Sequence, residues 1–98
     1  MAKFILTDEA VTNINNIRDY TRNRWGKQQL KQYLDTLRAS LNQLAENPLM
    51  GILRFKEDGI YSFPSASHTI YYMMQKDSTV ILAILHQSMT PEIHLNKY

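Results

Sequence analysis

The side chains that could catalyse a reaction lie mostly in the second half of this 98-residue chain. Cleavage of RNA through the ribose 2′-hydroxyl needs a base, an acid and a cation at the phosphate. Histidine, tyrosine, arginine and lysine can fill these roles, so a metal-free ribonuclease is the catalytic hypothesis. Its candidate residues are Arg54, Lys56, His68, His86 and Tyr98. The alternative is that His68 begins a strand, His86 ends one, and both only form hydrogen bonds there.

Other kinds of catalytic or ligand site have little support in the sequence. The chain has no cysteine, which excludes disulfides, thiol catalysis and cysteine-bound metal. His68, His86 and His94 are scattered, and although His68 and His86 could face each other across adjacent strands, two imidazoles make a weak zinc site. The three glycines stand apart, so there is no phosphate-binding loop. We therefore expect neither a metal nor a cofactor.

The charge balance is mildly basic, with 11 Lys and Arg against 9 Asp and Glu and a pI of about 9.0. The densest basic cluster contains Arg22, Arg24 and Lys27, with Arg18 one helical turn earlier. A solvated surface is the ordinary explanation for such a cluster at the end of an element. Direct sequence-specific binding of nucleic acid is therefore not expected.

The apolar run at the N-terminus is too short for a signal peptide. No apolar run approaches the roughly 20 residues of a membrane span. A cysteine-free chain of this length is typical of a single cytoplasmic domain, here residues 1–98, with no membrane partner.

One helix organises the rest of the chain. Five leucines recur at spacings of four, three, four and three residues, which places them on one face of a helix from Lys27 to Asn47. Pro48 ends the helix, because proline cannot continue its hydrogen-bond ladder. The five are Leu30, Leu34, Leu37, Leu41 and Leu44.

A second, weaker helical pattern precedes this one. A short strand from Lys3 to Leu6 leads to a helix capped by Thr7 or Asp8. The helix ends at Trp25-Gly26, which we interpret as a tight joint with a large apolar anchor. Two one-sided helices joined so closely predict an antiparallel helical hairpin.

The periodicity changes to that of strands after Pro48. Strands are predicted at 52–56, 60–63, 68–74 and 79–86, and the last is apolar on both faces, which favours a central place in the sheet. The predicted fold is α+β: a short strand, then a two-helix hairpin packed on a curved antiparallel sheet. Its order is β-α-α-β-β-β, and the pattern allows one more strand.

Short segments spread over nearly the whole chain resemble the ParE branch of the RelE/ParE toxins of bacterial toxin–antitoxin modules. The topology of that superfamily, strand–helix–helix–sheet, is the one predicted above. The segments are Leu6-Thr7, Arg24-Trp25-Gly26-Lys27-Gln28-Gln29, Leu44-Ala45-Glu46-Asn47-Pro48, Gly51, Gly59, Phe63-Pro64, Ser67-His68-Thr69-Ile70-Tyr71-Tyr72 and Ile84-Leu85-His86-Gln87-Ser88-Met89.

The resemblance implies a toxin that is encoded on a plasmid or chromosome and neutralised by an antitoxin encoded beside it. ParE-like members poison DNA gyrase and block replication, and their antitoxins are ParD-like. RelE-like members cut mRNA in the ribosome, and for such an enzyme Arg54, Lys56, His86 and Tyr98 fall in comparable regions. Ala83 and Ser62 stand where that branch commonly has basic residues, which weakens the ribonuclease hypothesis. The same two residues leave open a third hypothesis, that the protein is a degenerate, non-toxic member of the family that only binds its antitoxin.

Two sets of contact residues follow as predictions. The candidates for binding the target are Arg54, Lys56, His86 and Met89. An antitoxin segment that is disordered alone can fold onto the hairpin and add a strand to the sheet. Its candidate contacts are apolar residues expected to stay partly exposed, together with a basic cluster: Ile14, Ile17, Tyr33, Leu37, Arg18, Arg22 and Arg24.

Overall fold

The computed structural model describes residues 3–95 and shows a helical hairpin lying across one face of a five-stranded sheet. The strands are β1 (Phe4–Leu6), β2 (Ile52–Phe55), β3 (Ile60–Ser65), β4 (His68–Gln75) and β5 (Ser78–His86). The helices are α1 (Asp8–Trp25), α2 (Lys27–Glu46) and the short α3 (Pro91–Leu95), and a single 3₁₀ turn (Pro48–Met50) follows α2. The predicted α+β fold is confirmed, and the additional strand that the pattern allowed is present.

The sheet is mixed, whereas the sequence pattern predicted an antiparallel one. Its strand order is β1-β5-β4-β3-β2, and β1 runs parallel to β5 while the other three pairs are antiparallel. The chain reaches β5 only after two helices and three strands, so no local turn dictates the direction of this pair. The central position predicted for β5 is confirmed, because β1 and β4 flank it.

The helices begin and end where their sequence signals lie. Thr7 caps α1 by accepting a hydrogen bond from the backbone N–H of Ala10 at 3.2 Å, and Asp8 and Glu9 occupy the first turn, at the positive end of the helix dipole. Gly26 separates the helices with φ of +89°, a conformation that L side chains rarely adopt. The prediction that Trp25 anchors this joint is wrong, because its side chain is 62% exposed.

Apolar side chains cover both faces of the sheet. The hairpin packs on one face, and its core includes Leu37, Leu41 and Leu44 from the leucine stripe. The other face carries a smaller cluster that contains Tyr71, Leu82, Leu85 and, from α3, Leu95. Within the described residues, no helix is long and apolar enough to cross a membrane.

One buried tyrosine ties the end of α2 to the sheet. Tyr72, in β4, donates a hydrogen bond from its hydroxyl to the carbonyl of Pro48 at 2.7 Å. The same hydroxyl accepts a hydrogen bond from the backbone N–H of Gly51 at 3.0 Å. This close approach leaves no room for a side chain at Gly51, where a Cβ would lie 2.6 Å from the carbonyl oxygen of Ser62 and nearer still to the Tyr72 hydroxyl.

Candidate functional sites

The residues of the ribonuclease hypothesis do not come together. Phe55 lies between Arg54 and Lys56 and pairs with Ile60 of β3. Ile60 pairs with Met73 of β4, and Met73 pairs in turn with Val80 of β5. Val80 precedes His86 by six residues along the strand, which is about 20 Å at the rise of a β-strand. Arg54 and Lys56 are therefore far from His86, and Tyr98 lies outside the described residues.

The four candidates for binding the target are divided in the same way. Burial raises the pKa of Tyr71, and the nearby charge of Arg54 acts to lower it, so Arg54 lies near Tyr71. Tyr71 belongs to the sheet face away from the hairpin. His86 and Met89 instead line a cleft between the hairpin and the other end of the sheet. The predicted target-binding set thus forms two separate groups rather than one patch.

This cleft, which we call the histidine cleft, encloses about 570 Å³ at the hinge end of the helical hairpin. Helix α1, the start of α2 and the ends of β4 and β5 form its walls. Its lining is Asn13, Asn16, Ile17, Tyr20, Thr21, Trp25, Gln29, Tyr33, Ser67, His68, Ile84, His86 and Met89.

A cross-strand histidine pair forms the floor of the histidine cleft. His68 and His86 are directly opposite in the β4–β5 ladder, as the sequence suggested, and their ring centroids are 5.4 Å apart. Tyr33 packs edge-on against His68, and its hydroxyl is 3.0 Å from Nδ1 of His68. Sequence reasoning assigned Tyr33 to antitoxin binding; the structure makes it part of this hydrogen-bonded cluster.

The hydrogen bonds at His86 define its tautomer. The backbone N–H of Ser88 can only donate, and it lies 3.2 Å from Nδ1 of His86. Nδ1 therefore accepts, and in the neutral ring the proton is on Nε2. The open nitrogen of His86 is thus a hydrogen-bond donor, which does not suit the role of general base.

Burial alters the pKa of two members of the cluster. Burial raises the pKa of Tyr33 to about 12, so its hydroxyl remains protonated over the whole physiological range. Burial lowers the pKa of His68, and the neighbouring His86 lowers it further, because two imidazolium ions at this distance repel. The native cluster therefore favours a neutral His68.

The lowered pKa of His68 predicts a pH dependence of stability. Unfolded His68, with a pKa near 6.5, takes up a proton more readily than folded His68, so stability falls as the pH drops below about 6.5. We expect His68→Asn, which cannot titrate, to lose less stability than the parent protein between pH 7.5 and pH 5. Urea denaturation followed by circular dichroism at the two pH values measures this difference. An equal loss in both proteins would contradict the prediction.

A second depression, the leucine groove, runs along the opposite side of the hairpin and encloses about 760 Å³. Its apolar surface comes from β1, α1 and α2, and its rim carries four cations and one carboxylate, that of Asp35, which pairs with Lys31 at 3.0 Å. The apolar lining includes Phe4, Leu6, Ile14, Leu30 and Leu34, and the cations are Arg18, Lys27, Lys31 and Arg38. β1 stands at the end of the strand order beside this groove, so its outer edge pairs with none of the described strands.

The leucine groove contains some of the residues predicted to bind an antitoxin and excludes others. Ile14, Arg18 and Leu37 line it, whereas Ile17 and Tyr33 line the histidine cleft. Arg22 and Arg24 are exposed in the last turn of α1. The expectation that Ile17 and Leu37 stay partly exposed is wrong, because both side chains are buried in the core and Leu37 is only 3% exposed.

Sequence reasoning named only Leu37 on the α2 side of the leucine groove. Leu30 and Leu34 begin the leucine stripe, but the core covers only its later members, so these two remain half-buried. Lys31 and Arg38 flank them at helical spacing on the polar side. The available signal was the combination of an apolar stripe and basic neighbours at the start of α2.

Comparison with known proteins relates the chain to one toxin family. The family described as the ParE toxin of the type II toxin–antitoxin system, parDE, matches residues 4–91. Toxin ParE1 of Caulobacter vibrioides is 32% identical over 97% of this chain and 99% of its own length. Toxin ParE1 of Mycobacterium tuberculosis is 29% identical over 96% of this chain and 98% of its own length.

Two solved structures share the fold. A chain of the chromosomal ParDE toxin–antitoxin system from P. aeruginosa superposes with a TM-score of 0.74 at 16% identity, covering 88% of this chain and 96% of that one. A chain of the RelBE2 toxin–antitoxin complex from Mycobacterium tuberculosis gives a TM-score of 0.61 at 16% identity, covering 90% and 93%. The strand, helical hairpin and sheet are the fold that these structures share, and the family match with the ParE1 relatives defines a toxin of the RelE/ParE superfamily. Within it, the chain belongs to the ParE toxins of type II toxin–antitoxin systems.

Proposed function

We propose that this protein is a non-enzymatic toxin that inhibits DNA gyrase in the cytoplasm and is neutralised by a ParD-like antitoxin bound in the leucine groove. The gyrase target rests on membership of the ParE family. The proposal that the antitoxin binds there rests on one observation, the apolar groove with a cationic rim beside the open edge of β1.

The chemistry of the leucine groove fits an amphipathic protein segment. Leucine, isoleucine and phenylalanine side chains offer an apolar surface to one face of a helix, and the excess of four cations over the single carboxylate of Asp35 favours acidic residues on its other face. An extended stretch of the same segment can pair with the unpaired edge of β1. Such a segment needs no folded structure of its own before it binds.

The arrangement of titratable groups favours binding over catalysis. Arg54 and Lys56 are too far from His86 to share a substrate phosphate with it. The open nitrogen of His86 is a donor, so it cannot take a proton from a ribose hydroxyl in this tautomer. The pairing of His68 with His86 is the one observation that favours a ribonuclease of the RelE type, and it makes this the second candidate function.

A gyrase assay run beside an mRNA cleavage assay distinguishes these functions. With purified gyrase and relaxed plasmid, we expect the protein to abolish supercoiling and to accumulate cleaved plasmid, because a ParE-type toxin traps gyrase on cut DNA. With programmed ribosomes, we expect the mRNA to remain intact. Gyrase inhibition should survive His86→Ala, because it needs no acid–base step and His86 is only one of the four predicted target contacts.

Each other outcome has a definite meaning. Cut mRNA with unaffected gyrase, removed by His86→Ala or Arg54→Ala, would refute the gyrase proposal and establish the ribonuclease. Inactivity in both assays, with retained binding to the antitoxin, would indicate a degenerate member of the family.

A further inference from the structure

We propose that the histidine cleft binds the base of an unpaired nucleotide, so that the protein holds single-stranded nucleic acid at the hinge end of its helical hairpin. This inference goes beyond gyrase inhibition and does not depend on it. It rests on the aromatic surface, the polar walls and the charge of the cleft.

Two large aromatic rings stand open at the mouth of the histidine cleft. Tyr20 is 63% exposed and Trp25 is 62% exposed, although both line the cleft. The guanidinium carbon of Arg24 lies 5.5 Å from the centre of the Trp25 ring. Exposed aromatic rings backed by arginine form the stacking surface on which proteins bind unpaired bases, because every base presents a flat π face.

The lining of the histidine cleft offers hydrogen bonds at several places, two of them from the exposed side chains of Asn16 and Gln29. Asn16 and Gln29 carry amides that can both donate and accept, and His86 presents the N–H of Nε2. Unpaired bases expose donors and acceptors along their Watson–Crick edges, and amide and imidazole groups match such edges. The cleft volume of about 570 Å³ lies within the range of small-molecule sites.

The charge around the histidine cleft suits a phosphate backbone. Arg24, whose guanidinium packs over the ring of Trp25, brings a cation to the mouth of the cleft, and no Asp or Glu occurs among its lining residues. Asp19, on α1, is exposed and does not line the cleft. Cations that neutralise phosphates release counterions, so binding should weaken as salt rises.

The contrast with the leucine groove favours a nucleotide over a protein segment here. The leucine groove is mostly aliphatic, whereas the histidine cleft combines five aromatic or imidazole rings with amides. Planar rings and amides are what a base recognises, and an aliphatic surface is what an amphipathic helix recognises. The two depressions therefore fit occupants of different chemistry.

Trp25 is the only tryptophan of the chain and provides a direct probe of this site. We expect a labelled oligothymidylate to quench Trp25 fluorescence and to gain anisotropy at low salt, with affinity falling as salt rises. Tyr20→Ala should weaken binding about tenfold through lost stacking. His86→Ala should weaken binding through the lost donor. The control, Leu49→Ala, replaces an equally exposed apolar residue outside the cleft and should bind as the parent does.

Three results would overturn the proposal. The first is the absence of quenching and binding at low salt. The second is binding that Tyr20→Ala and His86→Ala leave unchanged, which would place the nucleic acid elsewhere. The third is that the parent protein binds no oligonucleotide while both variants lose antitoxin binding, which would show that the cleft contacts a protein. Tyr20 is exposed, so its variant tests the site even if His86→Ala fails to fold.

Discussion

Replacing Gly51 with alanine is expected to reduce the free energy of unfolding by about 3 kcal/mol, a large part of the total stability of a domain. The added Cβ would lie 2.6 Å from the carbonyl oxygen of Ser62 and nearer to the Tyr72 hydroxyl. Relief of this overlap requires Tyr72 to move, although its ring is fully buried in the core. The movement also weakens its hydrogen bonds to Pro48 and Gly51.

A double-mutant cycle tests this explanation. Tyr72→Phe removes the hydroxyl and should cost about 1–3 kcal/mol, because it leaves the Pro48 carbonyl and the Gly51 N–H without that partner. Once the hydroxyl is absent, Gly51→Ala should cost less than in the parent protein. Urea denaturation of the four proteins gives the coupling free energy. Additive effects within about 0.5 kcal/mol would show that the two residues do not share one contact.

Reversing two charges on the rim of the leucine groove is expected to weaken antitoxin binding about 100-fold, roughly tenfold for each residue. The change is Arg18→Glu together with Arg38→Glu. Both residues are exposed, so the fold should be retained. The reversal replaces attraction for an acidic segment with repulsion, and the effect should shrink as salt increases.

The chain offers a matched control for this experiment. Arg54→Glu with Lys56→Glu makes the same change in net charge at the far edge of the sheet, in and just after β2. Calorimetric titration of each variant with the antitoxin encoded beside the toxin gives the dissociation constants. A similar loss in both double variants would mean that the antitoxin responds only to overall charge. No loss in the Arg18 and Arg38 variant would exclude the leucine groove as its site.

Local pattern predicted the elements well because each depends on neighbouring residues. The leucine spacing and Pro48 located α2 to within one residue, and the alternation after Pro48 located the strands. The opposition of His68 and His86 followed from their positions at the start of one strand and the end of the next. The parallel pairing of β1 with β5 did not follow, because it joins residues that are 75 positions apart, such as Phe4 and Thr79.

Burial was harder to predict than secondary structure. The stripe of α2 shows which face is apolar, but not how far the sheet extends beneath it, so Leu30 and Leu37 look alike in sequence and differ in exposure. Asn13 is a second case. Its side-chain oxygen accepts the backbone N–H of Ile84 at 3.0 Å, and its amide donates to Glu9 at 2.9 Å. The pairing of β1 with β5 ends at Ile81, so the backbone N–H of Ile84 needs another acceptor, and the sequence of α1 does not show that Asn13 provides it.

The place of β5 between β1 and β4 also bears on how the toxin is made. Among the described strands, β1 pairs with β5 alone, which is translated some 75 residues later, so these contacts have a large sequence separation and form slowly. A nascent chain that has not reached Thr79 has neither the partner of β1 nor the middle of the surface on which the hairpin rests. Such a chain exposes its leucine stripe to chaperones and proteases. The sheet of the toxin is therefore completed only after β5 has been synthesised, which leaves an antitoxin already in the cell time to meet the toxin as it folds.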